Sequence, residues 1–141
     1  MSAASLSRPT RRDLPGTHES YWIATTGTGD FPPLPGNIKV DVAIVGGGIA
    51  GLTSAYLLSL AGVKVAVVEM HRIVTGVTGY TTAKVSSAHG LIYDELTQKL
   101  GHEKAQMYAN ANEAAIGTIA SIISSEDIDC DFRRANAVIY T

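Results

Sequence analysis

A short glycine-rich motif between an apolar strand and an apolar helix constrains this chain more than any other feature. Residues 46–51 read Gly-Gly-Gly-Ile-Ala-Gly, which fits the pattern Gly-x-Gly-x-x-Gly. The β-branched run 39–45 predicts a buried parallel strand, and the Ala- and Leu-rich run 49–60 predicts a helix that stops at Gly62. A second buried strand is predicted over residues 64–68. A strand, a tight turn, a helix and a strand within about thirty residues form one βαβ unit.

Each glycine of the motif has a physical task in binding a pyrophosphate. Gly46 allows the sharp exit from the strand, Gly48 lets a pyrophosphate approach the backbone, and Gly51 lets the helix lie close to the strands. The N–H groups at the helix start, at Ile49 and Ala50, and the positive end of the helix dipole attract the phosphate charge. No Gly-Lys-Ser/Thr sequence follows, which argues against a P-loop. The motif predicts dinucleotide binding, and glycines used only for packing are the alternative.

An acidic residue stands where a dinucleotide-binding unit places one. Glu69 follows the second predicted strand, where its carboxylate can accept hydrogen bonds from the adenosine ribose. The alternative is a solvated charge at a strand end. A carboxylate also disfavours the 2′-phosphate of NADP, although Arg72 nearby weakens that exclusion. This spacing does not separate FAD from NAD.

The loop after Glu69 favours FAD. Residues 70–90 show no periodicity and are rich in Gly and Thr, and loops of this length are usually functional or disordered. Their hydroxyls and backbone amides suit a polyol chain and a second phosphate contact. A simple NAD domain would pass sooner into another strand or helix. A disordered surface loop is the alternative.

The rest of the chain extends the unit without completing it. Apolar spacing predicts a helix over 91–100 and a second over 102–124, and short strands are predicted at 130–132 and 137–140. The predicted fold class is therefore α/β: an incomplete Rossmann-like βαβ unit, a helical pair and the start of a further sheet. Unpaired sheet edges would permit self-association.

Three segments are predicted along the chain. Residues 1–19 are expected to form a disordered leader, and residues 37–141 the domain that contains the βαβ unit. Between them, residues 20–36 are predicted to be an extended N-terminal segment. This segment lies across the domain surface through its aromatic residues or is a flexible linker.

Composition excludes several classes of function. A net charge of −2 gives no reason to expect a nucleic-acid partner. The uncharged stretch 42–63 is long enough to span a bilayer, but its glycines and β-branched start favour a strand, a turn and a helix, so no membrane span is predicted. The single cysteine, Cys130, cannot form an internal disulfide or, by itself, a metal site. It is expected to be a small half-buried hydrophobe, compatible with a cytoplasmic location.

Longer stretches of the sequence resemble a known family. The segment DVAIVGGGIAGLTSAYLLSLAGVKVAVVE resembles the opening of FAD-dependent oxidoreductases of the D-amino-acid oxidase and glycine oxidase superfamily. The loop TGVTGYTTAKVSSAHG is similar to that superfamily's second FAD-contacting segment. The stretches ESYW, FPPLPGNIKVDV and YDELTQKLGHEKAQMYANANEAA resemble one branch, in which a C-terminal Rieske iron–sulfur domain follows the flavoprotein body. The resemblance covers about residues 20–141.

The resemblance implies an FAD/NAD(P)-binding fold of the glutathione-reductase type and roles for individual residues. It places the pyrophosphate at the three motif glycines and the ribose at Glu69. A solvated lysine is the alternative for Lys84. His89 is either a proton carrier near a flavin or, as the more ordinary interpretation, a capping or surface histidine. Residues implied to lie along the ribityl chain or flavin are Thr78, Thr81, Thr82, Ala83 and Lys84.

Family members are several times longer than this chain, so the resemblance implies that residues 37–141 are the N-terminal portion of an FAD-binding domain. The chain is therefore expected to be an N-terminal fragment without turnover of its own. The expected function is the FAD-binding portion of an oxidoreductase acting on an amine or amino-acid type of substrate. The small-molecule substrate would be bound only by the complete protein, and any Rieske 2Fe-2S cluster would lie outside this chain. No catalytic residue is assigned. An NAD-binding module and a non-catalytic remnant of the fold are the alternatives.

Overall fold

The computed structural model describes residues 16–27, 29 and 31–140. Most of the predicted leader, residues 1–15, lies outside the described residues. The structure contains four α-helices, two strands and one 3-10 helix among the described residues. In chain order these are α1 (Tyr21–Thr25), β1 (Val42–Val45), α2 (Ile49–Leu60), β2 (Val65–Val68), the 3-10 helix (Val77–Tyr80), α3 (Ile92–Leu100) and α4 (His102–Ser125).

The two strands are parallel neighbours, as the βαβ pattern predicts. Val42 pairs with Val65 and Val45 with Val68. The first strand is shorter than the predicted run 39–45 because Asp41 ends the ladder. Its N–H donates to the Lys64 carbonyl over 2.9 Å, and its carboxylate accepts the Lys64 N–H over 3.0 Å.

Helix α2 has the predicted bounds. Its end is a Schellman motif, in which Gly62 N–H donates to Ser59 O over 2.9 Å and Val63 N–H to Leu58 O over 3.0 Å. Gly62 has φ of +78°, a left-handed value that glycine adopts without a steric penalty. The uncharged stretch 42–63 thus folds as a strand, a turn and a helix. Across residues 16–27, 29 and 31–140, no helix has the length and apolarity needed to cross a bilayer.

One face of β1 packs under α2. Val42 and Ile44 are half-buried, whereas Ala43 and Val45 on the opposite face are exposed. This alternation is typical of a strand covered on one side only. Among the described residues, α2 packs on both strands of the sheet.

The chain divides into two compact units at residues 82 and 83. The first contains the βαβ unit, α1 and the 3-10 helix. The second contains the predicted helical pair, α3 and α4, which pack on each other. Ala105 on α4 is 5% exposed and is the buried hydrophobic residue of the described chain. The rings of Tyr93 and Tyr108 meet edge to face at 5.9 Å between the two helices.

Two predictions of local structure were wrong. Residues 20–36 are not extended throughout, because residues 21–25 form α1, where the Thr25 hydroxyl donates to Tyr21 O over 2.7 Å. Residues 130–132 and 137–140 do not form strands, so no further sheet starts within the described chain. Asp131 has φ of +52°, which lies outside the β region. A strand at 137–140 would need a hydrogen-bonded neighbour, and the sheet of the described residues holds only β1 and β2.

Candidate dinucleotide site

Gly46 makes the turn out of β1. Its N–H donates to Val68 O over 2.8 Å, which extends the ladder by one residue. Its φ is +105°, which a residue with a side chain rarely adopts. A Cβ here would meet no atom within 4 Å, so the need for glycine is conformational and not steric.

Gly51 allows the close approach of α2 to the turn. A Cβ at this position would lie 2.0 Å from the Gly46 carbonyl oxygen and 3.3 Å from the Ile44 side chain. The first distance is far below van der Waals contact, so the helix could not keep its place with any larger residue. The close packing predicted for Gly51 is present.

Gly48 borders open space at the start of α2. Its backbone is extended, with φ of −85° and ψ of −174°, so its conformation does not itself demand glycine. A Cβ would meet only the Thr78 hydroxyl, at 3.4 Å. A Cβ at Gly48 would therefore fit in front of the helix at ordinary contact distance from its neighbours.

The start of α2 already binds an oxygen atom. The N–H of Ile49 donates to Thr78 Oγ1 over 3.1 Å, and the first intrahelical bond runs from Leu52 N–H to Gly48 O over 3.0 Å. The N–H groups of Ala50 and Gly51 lie between them, in the turn where helix N–H groups lack intrahelical acceptors. Together with the helix dipole, these groups and the open space at Gly48 fit a pyrophosphate.

Glu69 connects the end of β2 to the glycine turn. Its Oε2 accepts the Gly47 N–H over 2.7 Å, and its Oε1 accepts the His71 N–H over 2.9 Å. The hydrogen bond from Gly47 has the largest effect and the bond from His71 the next largest, and both lower the pKa of Glu69 from its ordinary value. Burial has a smaller effect in the opposite direction. The carboxylate is therefore ionised at neutral pH. An ionised carboxylate has about four lone-pair positions, which leaves capacity to accept ribose hydroxyls.

Gly47 is a site residue that sequence reasoning missed. The motif treats this position as variable, yet Gly47 is buried and its carbonyl accepts the Val74 N–H over 2.9 Å. A Cβ would lie 2.8 Å from the Ile73 side chain. The run of three consecutive glycines, one more than the motif requires, was the signal that could have revealed it.

The structure brings the motif, Glu69 and Thr78 together in the first unit. Thr81 also lies in this unit, where its carbonyl accepts the Trp22 Nε1–H over 2.8 Å. Arg72 has an exposed side chain, and its carbonyl accepts the Thr75 hydroxyl over 2.8 Å. Thr82 is exposed at the end of this unit.

The remaining predicted residues belong to the second unit. Ala83 and Lys84 begin that unit, both are exposed, and Ala83 has φ of +57°. His89 Nδ1 lies 2.9 Å from the Tyr108 hydroxyl, and the His89 carbonyl accepts the Ile92 N–H over 3.4 Å. His89 is thus exposed and lies two residues before Leu91, the N-cap of α3.

Comparison with known proteins agrees with this geometry. The family described as "FAD dependent oxidoreductase" matches residues 41–141. The Bacillus subtilis protein YhfW, whose name describes a Rieske 2Fe-2S iron–sulfur protein, is 40% identical over 87% of this chain and 24% of its own length. The gamma-glutamylputrescine oxidoreductase of Escherichia coli is 32% identical over 81% of this chain and 27% of its own length. OrdL of Rhizobium meliloti, named as an oxidoreductase, is 32% identical over 72% of this chain and 24% of its own length.

The chain spans about a quarter of the length of these relatives. No solved structure matches it significantly. The family match nevertheless covers well over half of the chain and includes both strands, the glycine turn and Glu69. The chain belongs to the family of FAD-dependent oxidoreductases.

Proposed function

We propose that this chain forms the adenosine and pyrophosphate half of an FAD site in an oxidoreductase. The observation that carries the proposal is the open space at Gly48 in front of the α2 N-terminus, with Glu69 held beside it through the Gly47 N–H. The N–H groups at Ala50 and Gly51 bind the pyrophosphate beside the Ile49 N–H, which donates to the Thr78 hydroxyl, and Glu69 accepts the ribose hydroxyls. Thr78, Thr81 and Thr82 contact the ribityl chain, whereas for Ala83 and Lys84, which follow next in the chain, a flavin contact rests on the family resemblance alone.

The proposed reaction is oxidation of a C–H bond next to an amine in an amine or amino-acid substrate. A bound flavin supplies the hydride acceptor for such a reaction. The name of the Escherichia coli relative, gamma-glutamylputrescine oxidoreductase, fits this substrate class. The residues described here bind and orient the cofactor, and the substrate-binding residues belong to the longer protein that we propose.

The same proposal places a Rieske cluster outside residues 1–141. A Rieske centre needs two cysteine and two histidine ligands, and the chain contains one cysteine. We also propose a cytoplasmic location and self-association through the edges of the two-stranded sheet.

The proposal is tested by titrating the purified chain with FAD and following the flavin fluorescence. We expect saturable binding, and we expect Gly48→Val to weaken it about 100-fold or more, equivalent to about 2.7 kcal/mol, because the valine fills the pyrophosphate space. Thermal unfolding of Gly48→Val should stay close to that of the unchanged chain.

Two control variants separate binding from folding. Gly117→Val makes the same substitution at a helical glycine whose Cβ would meet nothing within 4 Å, and it should bind FAD normally. Gly51→Ala should lose both FAD binding and folding stability, because its Cβ overlaps the Gly46 carbonyl. Binding of NADH in place of FAD would support the nicotinamide alternative, and a folded chain that binds neither would support the non-catalytic remnant.

A further inference from the structure

The short helix α1 lies outside the residues matched by the family. It contacts the loop at residues 78–82, which the proposed function places in the FAD site. The family match begins at residue 41, whereas α1 spans Tyr21–Thr25. The indole Nε1–H of Trp22 donates to the Thr81 carbonyl over 2.8 Å. Because the two residues are 59 positions apart in the chain, this contact is a tertiary one.

Ile23 makes a second contact with the same loop. Gly79 in the 3-10 helix is buried, and a Cβ built on it would lie 3.1 Å from Ile23 Cδ1 and 2.4 Å from the Val74 carbonyl oxygen. The Ile23 side chain therefore lies directly against the backbone of the 3-10 helix. Glycine at position 79 is what allows this approach.

These two contacts lie within three residues of Thr78, where the loop touches the glycine turn. The 3-10 helix carries Thr78, whose hydroxyl accepts the Ile49 N–H at the start of α2. The segment is thus bonded to the glycine turn through Thr78 and contacted by α1 at Gly79 and Thr81. A segment held at several points loses less conformational freedom when a ligand binds, which raises the affinity for that ligand.

We propose that Trp22 and Ile23 are positioning residues that hold residues 78–82 in place for the ribityl and flavin half of FAD. The inference rests on the proposed function, because it takes this loop as part of the FAD site. An open groove supports it: α1 and the end of the loop line a space of about 670 Å³ whose walls include Trp22, Tyr80 and Thr82. The N-terminal segment thereby becomes a working part of the cofactor site.

The test compares FAD with ADP, which contains the adenosine and pyrophosphate half of FAD only. Calorimetric titrations of both ligands are made with the unchanged chain, Trp22→Phe and Ile23→Ala. Trp22→Phe removes the N–H donor and keeps an aromatic ring, and Ile23→Ala removes the contact with Gly79. Ala24→Ser is the control, because Ala24 lies on the same helix, is exposed and is not among the residues that line the groove.

We expect each of Trp22→Phe and Ile23→Ala to weaken FAD binding about fivefold, equivalent to about 1 kcal/mol, without reducing the affinity for ADP. ADP reaches only the glycine turn and Glu69, so a looser loop should not affect it. Ala24→Ser should leave both affinities unchanged. Circular dichroism melting establishes that each variant is folded.

The only tryptophan of the chain gives an independent readout. Acrylamide quenching of Trp22 fluorescence should fall when FAD binds and should be higher in Ile23→Ala than in the unchanged chain. Equal FAD affinity in the unchanged chain, Trp22→Phe and Ile23→Ala would overturn the inference and leave the proposed FAD site standing. An equal loss of FAD and ADP affinity would also overturn it, since that is the effect of a general structural defect. Failure of the unchanged chain to bind FAD would overturn the proposed function and this inference with it.

Discussion

At the scale of single residues, the carboxylate of Glu69 is bound to the backbone before any ribose reaches it. It accepts N–H groups from Gly47 in the turn and from His71 just after β2. A family motif assigns such a residue to the cofactor, whereas here it also keeps the turn and the strand end together. The same side chain therefore contributes to the fold and to the proposed site.

The bonds of Glu69 predict how stability depends on pH. The pKa of Glu69 in the folded chain is lowered by the Gly47 and His71 N–H groups. The ionised Glu69 therefore makes its full contribution to stability at any pH above the pKa that Glu69 has in the unfolded chain. The contribution disappears as the pH falls below about 4.5 and passes through the lowered folded pKa. We expect Glu69→Gln to be less stable than the unchanged chain at pH 7, by a difference that begins to shrink as the pH falls below about 4.5.

Urea unfolding of both chains at a series of pH values measures this difference. A difference that stays constant from neutral to acidic pH would show that the charge on Glu69 does not stabilise the turn.

At the scale of elements, two helices end in the same backbone motif with different residues. Gly62 stands two residues after the end of α2 and has φ of +78°. Asp127 stands two residues after the end of α4 and has φ of +50°. In α4 the Ile128 N–H donates to Ile123 O over 3.0 Å, which is the longer of the two Schellman bonds. Asp127 therefore occupies the left-handed position where glycine has the lowest steric cost.

This comparison predicts opposite effects of exchanging the two residues. We expect Asp127→Gly to stabilise the chain by about 0.5 kcal/mol, because glycine adopts the left-handed backbone conformation without the steric cost that the aspartate side chain brings. Gly62→Asp should destabilise it by a similar or larger amount, because it introduces a side chain at a positive φ. Urea denaturation measures both changes, and stabilisation by Gly62→Asp would contradict the assignment of the cap.

At the scale of the whole molecule, the chain leaves apolar surface uncovered in its first unit. Among the described residues, each strand of the sheet has one hydrogen-bonded neighbour, so each has an open edge. Val45 at the end of β1 is 89% exposed, on the face that α2 does not cover. Open edges and exposed apolar side chains favour association with another chain.

We therefore expect the isolated chain to self-associate as its concentration rises. Val45→Lys should raise the dissociation constant at least about tenfold, equivalent to about 1.4 kcal/mol, because a charge on an edge strand opposes pairing. Sedimentation velocity over a range of concentrations measures the effect. Val77→Lys is the control, since Val77 is 93% exposed but lies in the 3-10 helix. A monomer at every concentration, or an equal effect of both substitutions, would refute self-association through the sheet.

The sequence alone determined the βαβ unit, the bounds of α2 and the helical pair. Hydrophobic periodicity and glycine placement are local properties, so they can be recognised from the sequence alone. The motif also indicated where a pyrophosphate would lie, because the geometry of a strand, a turn and a helix start follows from neighbouring residues. The resemblance to a flavoprotein family rested on the same local segments.

Only the tertiary structure decided which distant groups meet. The bond between Gly47 and Glu69, the Thr78 hydroxyl at the start of α2, and the contact of Trp22 with Thr81 each join residues far apart in the chain. The predicted strands at 130–132 and 137–140 failed for the same reason. A strand is completed by a partner that its own residues do not specify, whereas a helix satisfies its hydrogen bonds within its own segment.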